Sequence, residues 1–321
     1  MTPRINPIGI SAHLEGLSQT DATKQLDLMQ QAGINWIRLE FHWNNIEPTQ
    51  GTWGFSKYDY LVSGILSRGM QIIGLLSQYH VPTWYGTPSN KPPLPQDYAA
   101  WISSVASRYA GQIPLYEIGN EPNSNGNWYP QASASAYTAL LQAAYPAIKS
   151  ADNNAKIISG GLSPSGAITP ENFLTQMYAS GVQGYMDYIG YHPYSWPASP
   201  DFTQWPPTFS ELANLKNIMT ANGDGNKQIM ATEVGWPTYP GGDTEANQAT
   251  YIGRVYQKIM HEGYQYVAIA CIYDFLDDGT DANNPEDHFG LLRTDYSQKP
   301  SYSSMQSARA DYNANFTPIN P

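Results

Sequence analysis

Short apolar runs alternate with amphipathic stretches along most of the chain, and this alternation predicts its secondary structure. Residues 71–79 (QIIGLLSQY) and 266–275 (YVAIACIYDF) are typical of buried strands, because aliphatic and aromatic residues dominate them. Between such runs, apolar residues recur at helical spacing, as Ile252, Val255 and Ile259 do. The predicted strands cover residues 7–13, 35–43, 71–79, 113–121, 155–161, 186–194, 227–236 and 266–275.

The predicted helices fall between these strands. They are placed around residues 22–33, 56–68, 95–110, 141–148, 170–180, 208–221, 252–259 and 298–310. Eight strands alternating with eight helices predict parallel strands in βα units, and therefore an α/β protein with a single (β/α)8 TIM barrel over residues 1–321. A doubly wound open sheet is the alternative, but no glycine-rich phosphate loop follows the first predicted strand.

Composition narrows the classes of partner. With 27 acidic and 16 basic residues, the net charge is −11, which argues against nucleic acid and anionic membranes as partners. Only 13% of the residues are charged, so the surface is rich in neutral polar groups, a composition common in proteins that bind hydroxyl-rich partners outside the cell. The single cysteine, Cys271, excludes an intramolecular disulfide and a cysteine-based zinc site, and its apolar neighbours indicate that it packs in the core.

The sequence also supports expectations about location and assembly. No stretch approaches the 18 or more apolar residues of a membrane span, and residues 1–9 lack the apolar region of a signal peptide. We expect a secreted monomer whose export signal lies outside this chain, with a cytoplasmic location as the alternative. We expect it to need neither a cofactor nor a metal ion.

Polar side chains gather where the predicted strands end, at the edge that carries the active site in a TM barrel. They are His13, Arg38, Glu40, His42, Asn120, Glu121, His192, Tyr194, Glu233, Tyr273 and Asp274. Glu121 ends the fourth strand and Glu233 the seventh, so the two would face each other across the mouth. Two carboxylates on either side of a cleft are the machinery of glycoside hydrolysis.

Four motifs resemble those of the clan A glycoside hydrolases. They are Asn120-Glu121-Pro122 after strand four, Glu233 in TEVGWP (232–237), WNNIEPTQGTWGFSKYD (43–59) and HFGLLRTDYSQKPSY (288–302). The resemblance covers nearly the whole chain in the expected order, and it is closest to family 39 and its bacterial polysaccharide-hydrolase relatives, with family 5 next. It implies a retaining β-glycosidase on a (β/α)8 barrel that acts on a carbohydrate.

The resemblance also implies roles for individual residues. Glu121 would be the acid and then the base, and Glu233 the nucleophile. Arg38 would keep Glu233 ionised, and Asn120 would bind the sugar 2-hydroxyl. The chain departs from the clan in having Gly119 where many members have Trp, and in ending strand eight without a Trp. Either Tyr273 or Phe275 would then serve as the sugar platform, or no residue would.

Further residues have both a substrate-binding and a structural interpretation. His192 and Tyr194 would orient Glu233 and contact the sugar, and His13 and His42 would line the sugar pocket, but a structural histidine is an alternative. Glu40 and Glu117 are more readily partners of buried cations than catalysts. Five tryptophans in predicted loops would offer stacking surfaces, namely Trp84, Trp128, Trp196, Trp205 and Trp236.

Three other functions are alternatives to a hydrolytic glycosidase. A metal-dependent hydrolase would show clustered His or carboxylate ligands, and the six His residues are scattered. A sugar-binding barrel without catalysis would not need both glutamates. A retaining transglycosylase would use the same residues as a hydrolase. We expect endo action, because aromatic residues are spread over many loops, with exo action of the β-xylosidase type as the alternative.

Overall fold

Eight parallel strands form the centre of the structure, a computed structural model that describes residues 1–88, 90–203 and 209–321. The strands are β1 (Ile8–Ser11), β2 (Trp36–Glu40), β3 (Gln71–Leu76), β4 (Leu115–Ile118), β5 (Lys156–Ser159), β6 (Ile189–Tyr191), β7 (Ile229–Val234) and β8 (Val267–Ile272). Their order in the sheet is β5-β4-β3-β2-β1-β8-β7-β6. All neighbouring pairs are parallel, so every strand ends at the same edge.

The first and last strands of this order meet and nearly close the sheet into a barrel. Parallel bridges join Ile158 to Tyr188 and Leu162 to Tyr191, between β5 and β6. The predicted (β/α)8 barrel is therefore confirmed, and the open sheet is excluded. A separate parallel pair, Thr2–Arg4 with Phe316–Pro318, brings the two termini together.

Helices follow the strands and pack on the outside of the barrel. They are α1 (Gln19–Gln31), α2 (Trp43–Ile46), α3 (Ser56–Leu66), α4 (Pro95–Arg108), α5 (Ala134–Ala151), α6 (Pro170–Ala179), α7 (Glu211–Ala221), α8 (Glu245–His261) and α9 (Pro300–Asn315). Local chemistry sets their starts. The hydroxyls of Ser18, Ser133, Thr169 and Thr244 accept the backbone N–H three residues on, which satisfies a donor that the first turn leaves free.

The apolar residues form two layers. A small cluster inside the barrel includes Trp36, Ile73, Leu115, Met230 and Cys271, and a larger one fills the space between strands and helices. Cys271 is fully buried, as expected of a small apolar side chain. No helix in the described part of the chain is long and apolar enough to cross a membrane.

The structure adds two details to the predicted elements. The strands end earlier than predicted, so that Glu121 lies three residues beyond the end of β4. The short helix α2 was not predicted, because four residues carry no helical periodicity. Residue 208, predicted as the start of the sixth helix, lies outside the described residues, and the helix found there, α7, begins at Glu211.

Candidate active site

A cavity of about 640 Å³ opens at the edge where the strands end. Side chains from β1, β2, β3 and β7, and from the loops after β4, β5, β6 and β8, line it. Its ionisable lining residues are His13, Arg38, Tyr79, Glu40, Glu121, Tyr194, Glu233, Tyr273 and Glu286. Side chains that are far apart in the sequence thus converge on one space, because every strand ends at the same edge.

Glu121 reaches the cavity through an unusual backbone turn. Its φ is 45°, in the left-handed region that non-glycine residues rarely adopt, and its N–H donates to the carbonyl of Gly161 at 3.0 Å. Its side chain is 23% exposed, with Oε1 3.1 Å from His192 Nδ1. Asn127 Nδ2 lies 3.4 Å from Oε2. The strained turn therefore directs the carboxylate toward the cavity and away from the barrel wall.

The same turn explains why glycine precedes Asn120. Gly119 has a φ of 78°, and a Cβ there would lie 2.9 Å from Gln78 Oε1. Gln78 is fully buried; its Oε1 accepts the N–H of Asn120, and its Nε2 donates to the carbonyls of Asn120 and Asn127. The departure from the Trp of many clan members thus matches a local packing requirement.

Glu233, near the end of β7, is held by two donors. Arg38 Nη1 donates to its Oε1 at 2.6 Å, and the Tyr194 hydroxyl donates to its Oε2 at 2.9 Å. Burial disfavours the charged carboxylate, but the charges of His192 and Arg38 and the bonds from Tyr194 and Arg38 outweigh this effect. The pKa of Glu233 therefore lies below its usual value. A lowered pKa favours the ionised carboxylate, which is the form that a nucleophile requires.

Arg38 connects the two sides of the site. Its guanidinium is 4% exposed and donates to Glu117 at 2.5 Å, Glu233 at 2.6 Å and Asn120 at 2.7 Å. A buried cation is tolerated only when it is paired and hydrogen-bonded, and these acceptors meet that need. Glu117 is thus the partner of a buried cation, as expected, and Asn120 is fixed beside Glu121.

The two carboxylates lie close together. One oxygen of Glu121, one oxygen of Glu233 and a ring nitrogen of His192 all lie within 4.8 Å of one another. Retaining glycosidases hold their carboxyl groups about 5–5.5 Å apart, and inverting enzymes about 6.5–9.5 Å, to leave room for a water molecule. The nearest oxygens of Glu121 and Glu233 are therefore closer than the separation of the inverting arrangement, which favours the shorter class.

The sequence matches a known family model over most of its length. Residues 2–268 match the cellulase model of glycosyl hydrolase family 5. The chain belongs to glycosyl hydrolase family 5. This membership confirms the resemblance to clan A, within which family 5 was the second of the two families expected.

Individual similar proteins are named as xylanases or as glycoside hydrolases of a neighbouring family. The chain is 24% identical to endo-1,4-beta-xylanase C of Paenibacillus barcinonensis over 260 residues, which cover 73% of the chain and 22% of the relative. It is similar in structure to a family 39 glycoside hydrolase of Bacteroides cellulosilyticus WH2, with a TM-score of 0.81, 25% identity, and 96% and 64% of the two chains covered. Xylanase 10B of Thermotoga maritima has the same fold, with a TM-score of 0.69, 18% identity and 95% of each chain covered.

The family 5 chain therefore spans less than two thirds of the length of the first two of these proteins. It covers 22% of the Paenibacillus xylanase and 64% of the Bacteroides enzyme.

Some of the other predicted substrate-binding residues line the cavity, and others are buried away from it. His13, Tyr194 and Tyr273 line the cavity, and Phe275, the other expected platform, is 1% exposed. His192 is fully buried behind the two carboxylates, so its predicted contact with the sugar gives way to contacts with Glu121 and Glu233.

His42 does not line the cavity either. It lies behind Glu40, with its Nε2 3.3 Å from a Glu40 oxygen. Its ring stacks on that of His80, with centroids 3.9 Å apart.

Most of the predicted tryptophan platforms are structural, which corrects that prediction. Trp236 is fully buried and donates to the carbonyl of Ala198, and Trp128 is 5% exposed. Trp84 packs against the core and donates to the carbonyl of Glu47, outside the cavity lining. Trp196 lines the cavity, and Trp205 lies outside the described residues. Sequence position alone cannot tell which side of a loop faces the cavity.

The sequence did not single out several of the lining residues, among them Tyr79, Glu286 and Phe289. Glu286 and Phe289 come from the long loop after β8, and Tyr79 follows β3. Burial, together with the negative charge of Glu233, raises the pKa of Glu286. The length of the loop after β8 was the available signal, but nothing in its sequence indicates which of its several acidic residues turns inward.

Among the described residues, two clusters outside the carboxylate pair have the composition of a metal site. One is His13 with Asp274 and Asp278, and the other is Glu40 with His42 and His80. The two imidazole rings are stacked, with planes 19° apart and centroids 3.9 Å apart. Their in-plane lone pairs therefore run side by side and do not converge on one point, as metal ligands must. We assign no ion to this cluster.

Proposed function

We propose that this family 5 chain is a retaining, endo-acting β-glycosidase that hydrolyses a neutral β-linked polysaccharide. The observation that carries the proposal is the close pair Glu121 and Glu233 at the cavity, of which Glu233, and not Glu121, accepts hydrogen bonds from Arg38 and Tyr194. An ionised carboxylate and a second carboxyl group at this spacing support double displacement.

The proposed reaction has two steps. In the first, Glu233 attacks the anomeric carbon while Glu121 gives its proton to the departing glycosidic oxygen, so that a glycosyl ester forms on Glu233. In the second, Glu121 takes a proton from water, and the resulting hydroxide displaces Glu233 from the same carbon. Asn120, held by Arg38 beside Glu121, is placed to bind the 2-hydroxyl of the reacting sugar.

The cavity supports a neutral substrate that occupies more than one subsite. Its carboxylates are Glu40, Glu121, Glu233 and Glu286, while the guanidinium of Arg38 is already committed to three acceptors. A volume of about 640 Å³ lies within the range of about 300–1,000 Å³ that holds drug-sized ligands, which exceed a single sugar ring. An extracellular location follows from the proposal, because a polysaccharide is too large to enter a cell.

The first test is a product profile by mass spectrometry on β-linked glucans, xylan, mannan, galactan and bacterial exopolysaccharides. Xylan leads the panel because one relative is named an endo-1,4-beta-xylanase. Products that are oligomers of mixed length would support endo action. Products that are single sugars alone would indicate exo action instead. An added acceptor sugar distinguishes hydrolysis from glycosyl transfer, and no product from any polymer would favour a sugar-binding barrel.

A second test addresses the mechanism. The anomeric configuration of the first product, followed by ¹H NMR, is expected to be β. Glu121→Ala with added azide is expected to yield a β-glycosyl azide, because the anion attacks the intermediate without needing the missing base. An α product would contradict retention.

A further inference from the structure

His192 joins the two proposed catalytic carboxylates at one nitrogen. Its Nδ1 lies 3.1 Å from Glu121 Oε1 and 3.6 Å from Glu233 Oε2. Its other nitrogen, Nε2, lies 3.1 Å from the hydroxyl oxygen of Thr232. In the neutral ring one nitrogen carries a proton and donates, and the other accepts. The position of this proton therefore decides whether Nδ1 donates to Glu121 or accepts from it.

The donors and acceptors behind the ring settle that question. Thr232 has one hydroxyl proton, which it donates to Glu117 Oε1 at 2.9 Å. Glu117 also accepts the N–H of Gly161 on Oε1 and the Nε–H of Arg38 on Oε2, the pattern of an ionised carboxylate. The Thr232 oxygen can therefore only accept from His192, so Nε2 must be the donor.

Packing holds the ring in this orientation. His192, Thr232 and Glu117 are all fully buried. A Cβ on Gly161 would lie 2.0 Å from His192 Nε2 and 2.6 Å from the Thr232 hydroxyl, so the backbone of Gly161 closes directly over their contact. The ring has no room to exchange its two nitrogens.

We propose that Thr232 and Glu117 are positioning residues that keep a permanent proton on His192 Nε2 and so make Nδ1 the nitrogen that shares a proton with Glu121. This inference rests on the proposed function. In the first step, the shared proton leaves with the departing hydroxyl group, and in the second step it returns from the attacking water. Nδ1 thus holds the proton next to the group that delivers it.

The charged groups around the ring agree with this arrangement. Glu121 and Glu233 face Nδ1, Arg38 lies across from Glu233, and Glu117 reaches Nε2 through Thr232. Burial disfavours the imidazolium and Arg38 repels it, but the two catalytic carboxylates outweigh both effects and raise the pKa of His192.

The decisive experiment is the ring ¹⁵N NMR spectrum of histidine-labelled protein, followed through the titration of His192, whose signal is identified by its loss in His192→Gln. The neutral ring is expected to carry its proton on Nε2. In Thr232→Val, which lacks the acceptor, the proton is expected to shift toward Nδ1. A neutral wild-type ring protonated on Nδ1 would overturn the proposal.

A kinetic experiment tests the consequence. In Thr232→Val the imidazolium loses its acceptor, so the basic limb of the kcat/KM profile is expected to move down by about one pH unit. Thr232→Ser is expected to restore it. Thr138→Val is the matched control, since Thr138 is also buried but donates to Ala134 within α5, away from the cavity. An unshifted limb in Thr232→Val would overturn the proposal.

The two experiments fail separately. The NMR measurement needs no substrate, so it decides the tautomer even if no glycan is cleaved. If Thr232→Val does not fold, the wild-type spectrum still decides. If the NMR spectrum shows the proton on Nε2 but the protein cleaves none of the polymers, the result counts against the proposed function and not against the tautomer.

Discussion

At the scale of single residues, the site depends on one planar cation. Arg38 uses three different nitrogens for Glu117, Glu233 and Asn120, and so fixes the proposed nucleophile, Glu233, relative to the residue before the proposed acid. Lysine carries the same charge on a single nitrogen and cannot reproduce this fork.

Arg38→Lys is therefore expected to weaken the contact that keeps Glu233 ionised. The pKa of Glu233 should rise, and the acidic limb of the kcat/KM profile should move to higher pH by about one unit. Arg108→Lys is the control, because that arginine pairs with Asp59 on the surface. An unchanged acidic limb in Arg38→Lys would show that Arg38 does not set the ionisation of Glu233.

The proposed nucleophile gives the most direct prediction about a single residue. Glu233→Gln keeps the shape of the side chain but removes the attacking anion, so kcat should fall by on the order of 10⁴-fold or more. Circular dichroism should show an intact fold, and Glu262→Gln on the surface serves as the control. Near-normal activity in Glu233→Gln would remove it from the proposed role.

At the scale of elements, the loops after the strands aim the side chains. The turn after β4 combines Gly119, with a φ of 78°, and Glu121, with a φ of 45°, and buried Gln78 from the end of β3 bonds to its backbone. Neighbouring parallel strands thus support each other's active-site turns.

Gly119→Ala tests this support. Both strain at positive φ and the clash with Gln78 oppose the change, whereas Gly51, with a φ of 79° and nothing within 4 Å, offers the strain alone. Urea unfolding should show a loss of about 1 kcal/mol for Gly51→Ala and at least about 1 kcal/mol more for Gly119→Ala. Equal losses would mean that Gln78 yields without cost.

The end of β1 meets the loop after β8 through an ion pair. His13 Nδ1 lies 3.0 Å from Asp278. This bond raises the pKa of His13; burial opposes the rise, and the charges of Asp274, Asp278 and Glu15 add to it, bringing the pKa to about 9. Because the folded pKa is raised, the pair stabilises the fold fully below the unfolded pKa of about 6.5 and loses its effect as the pH rises through about 9.

NMR titration should find the His13 midpoint near pH 9, as the raised value requires. Asp278→Asn should lower the midpoint toward the ordinary histidine value, while Asp21→Asn, in α1, should leave it in place. A wild-type midpoint near 6.5 would show that Asp278 does not hold His13 in solution.

At the scale of the whole molecule, negative charge predominates both in the chain as a whole and among the residues that line the cavity. The chain has a net charge of −11, and four carboxylates line the cavity. An anionic polymer is repelled during approach and finds no free guanidinium on Arg38, whereas a neutral polymer meets neither obstacle.

A matched pair of substrates tests this field. For the backbone that the product profile identifies, we expect the neutral polymer to have a kcat/KM at least about tenfold above that of its carboxylated derivative at low salt. Added salt should narrow the gap through screening. Faster cleavage of the carboxylated polymer would contradict the predicted selectivity.

The sequence alone predicted most of the fold and the chemical centre of the site. Strand and helix patterns depend on local periodicity, so eight βα units and their order could be read directly. Parallel strands share one edge, so the sequence alone assigns Glu121, Glu233, Arg38, Asn120 and Tyr194 to one mouth of the barrel.

Only the tertiary structure decided what depends on the direction of side chains in loops. It placed Trp236 inside, His42 and His192 behind the cavity wall, and Glu286 at the cavity. It also showed that the side chain of Gln78, about 40 residues away in the sequence, leaves no room for a Cβ at Gly119. Hydrophobic pattern reports whether a residue prefers to be buried, but which neighbours meet it there is set by contacts between distant segments.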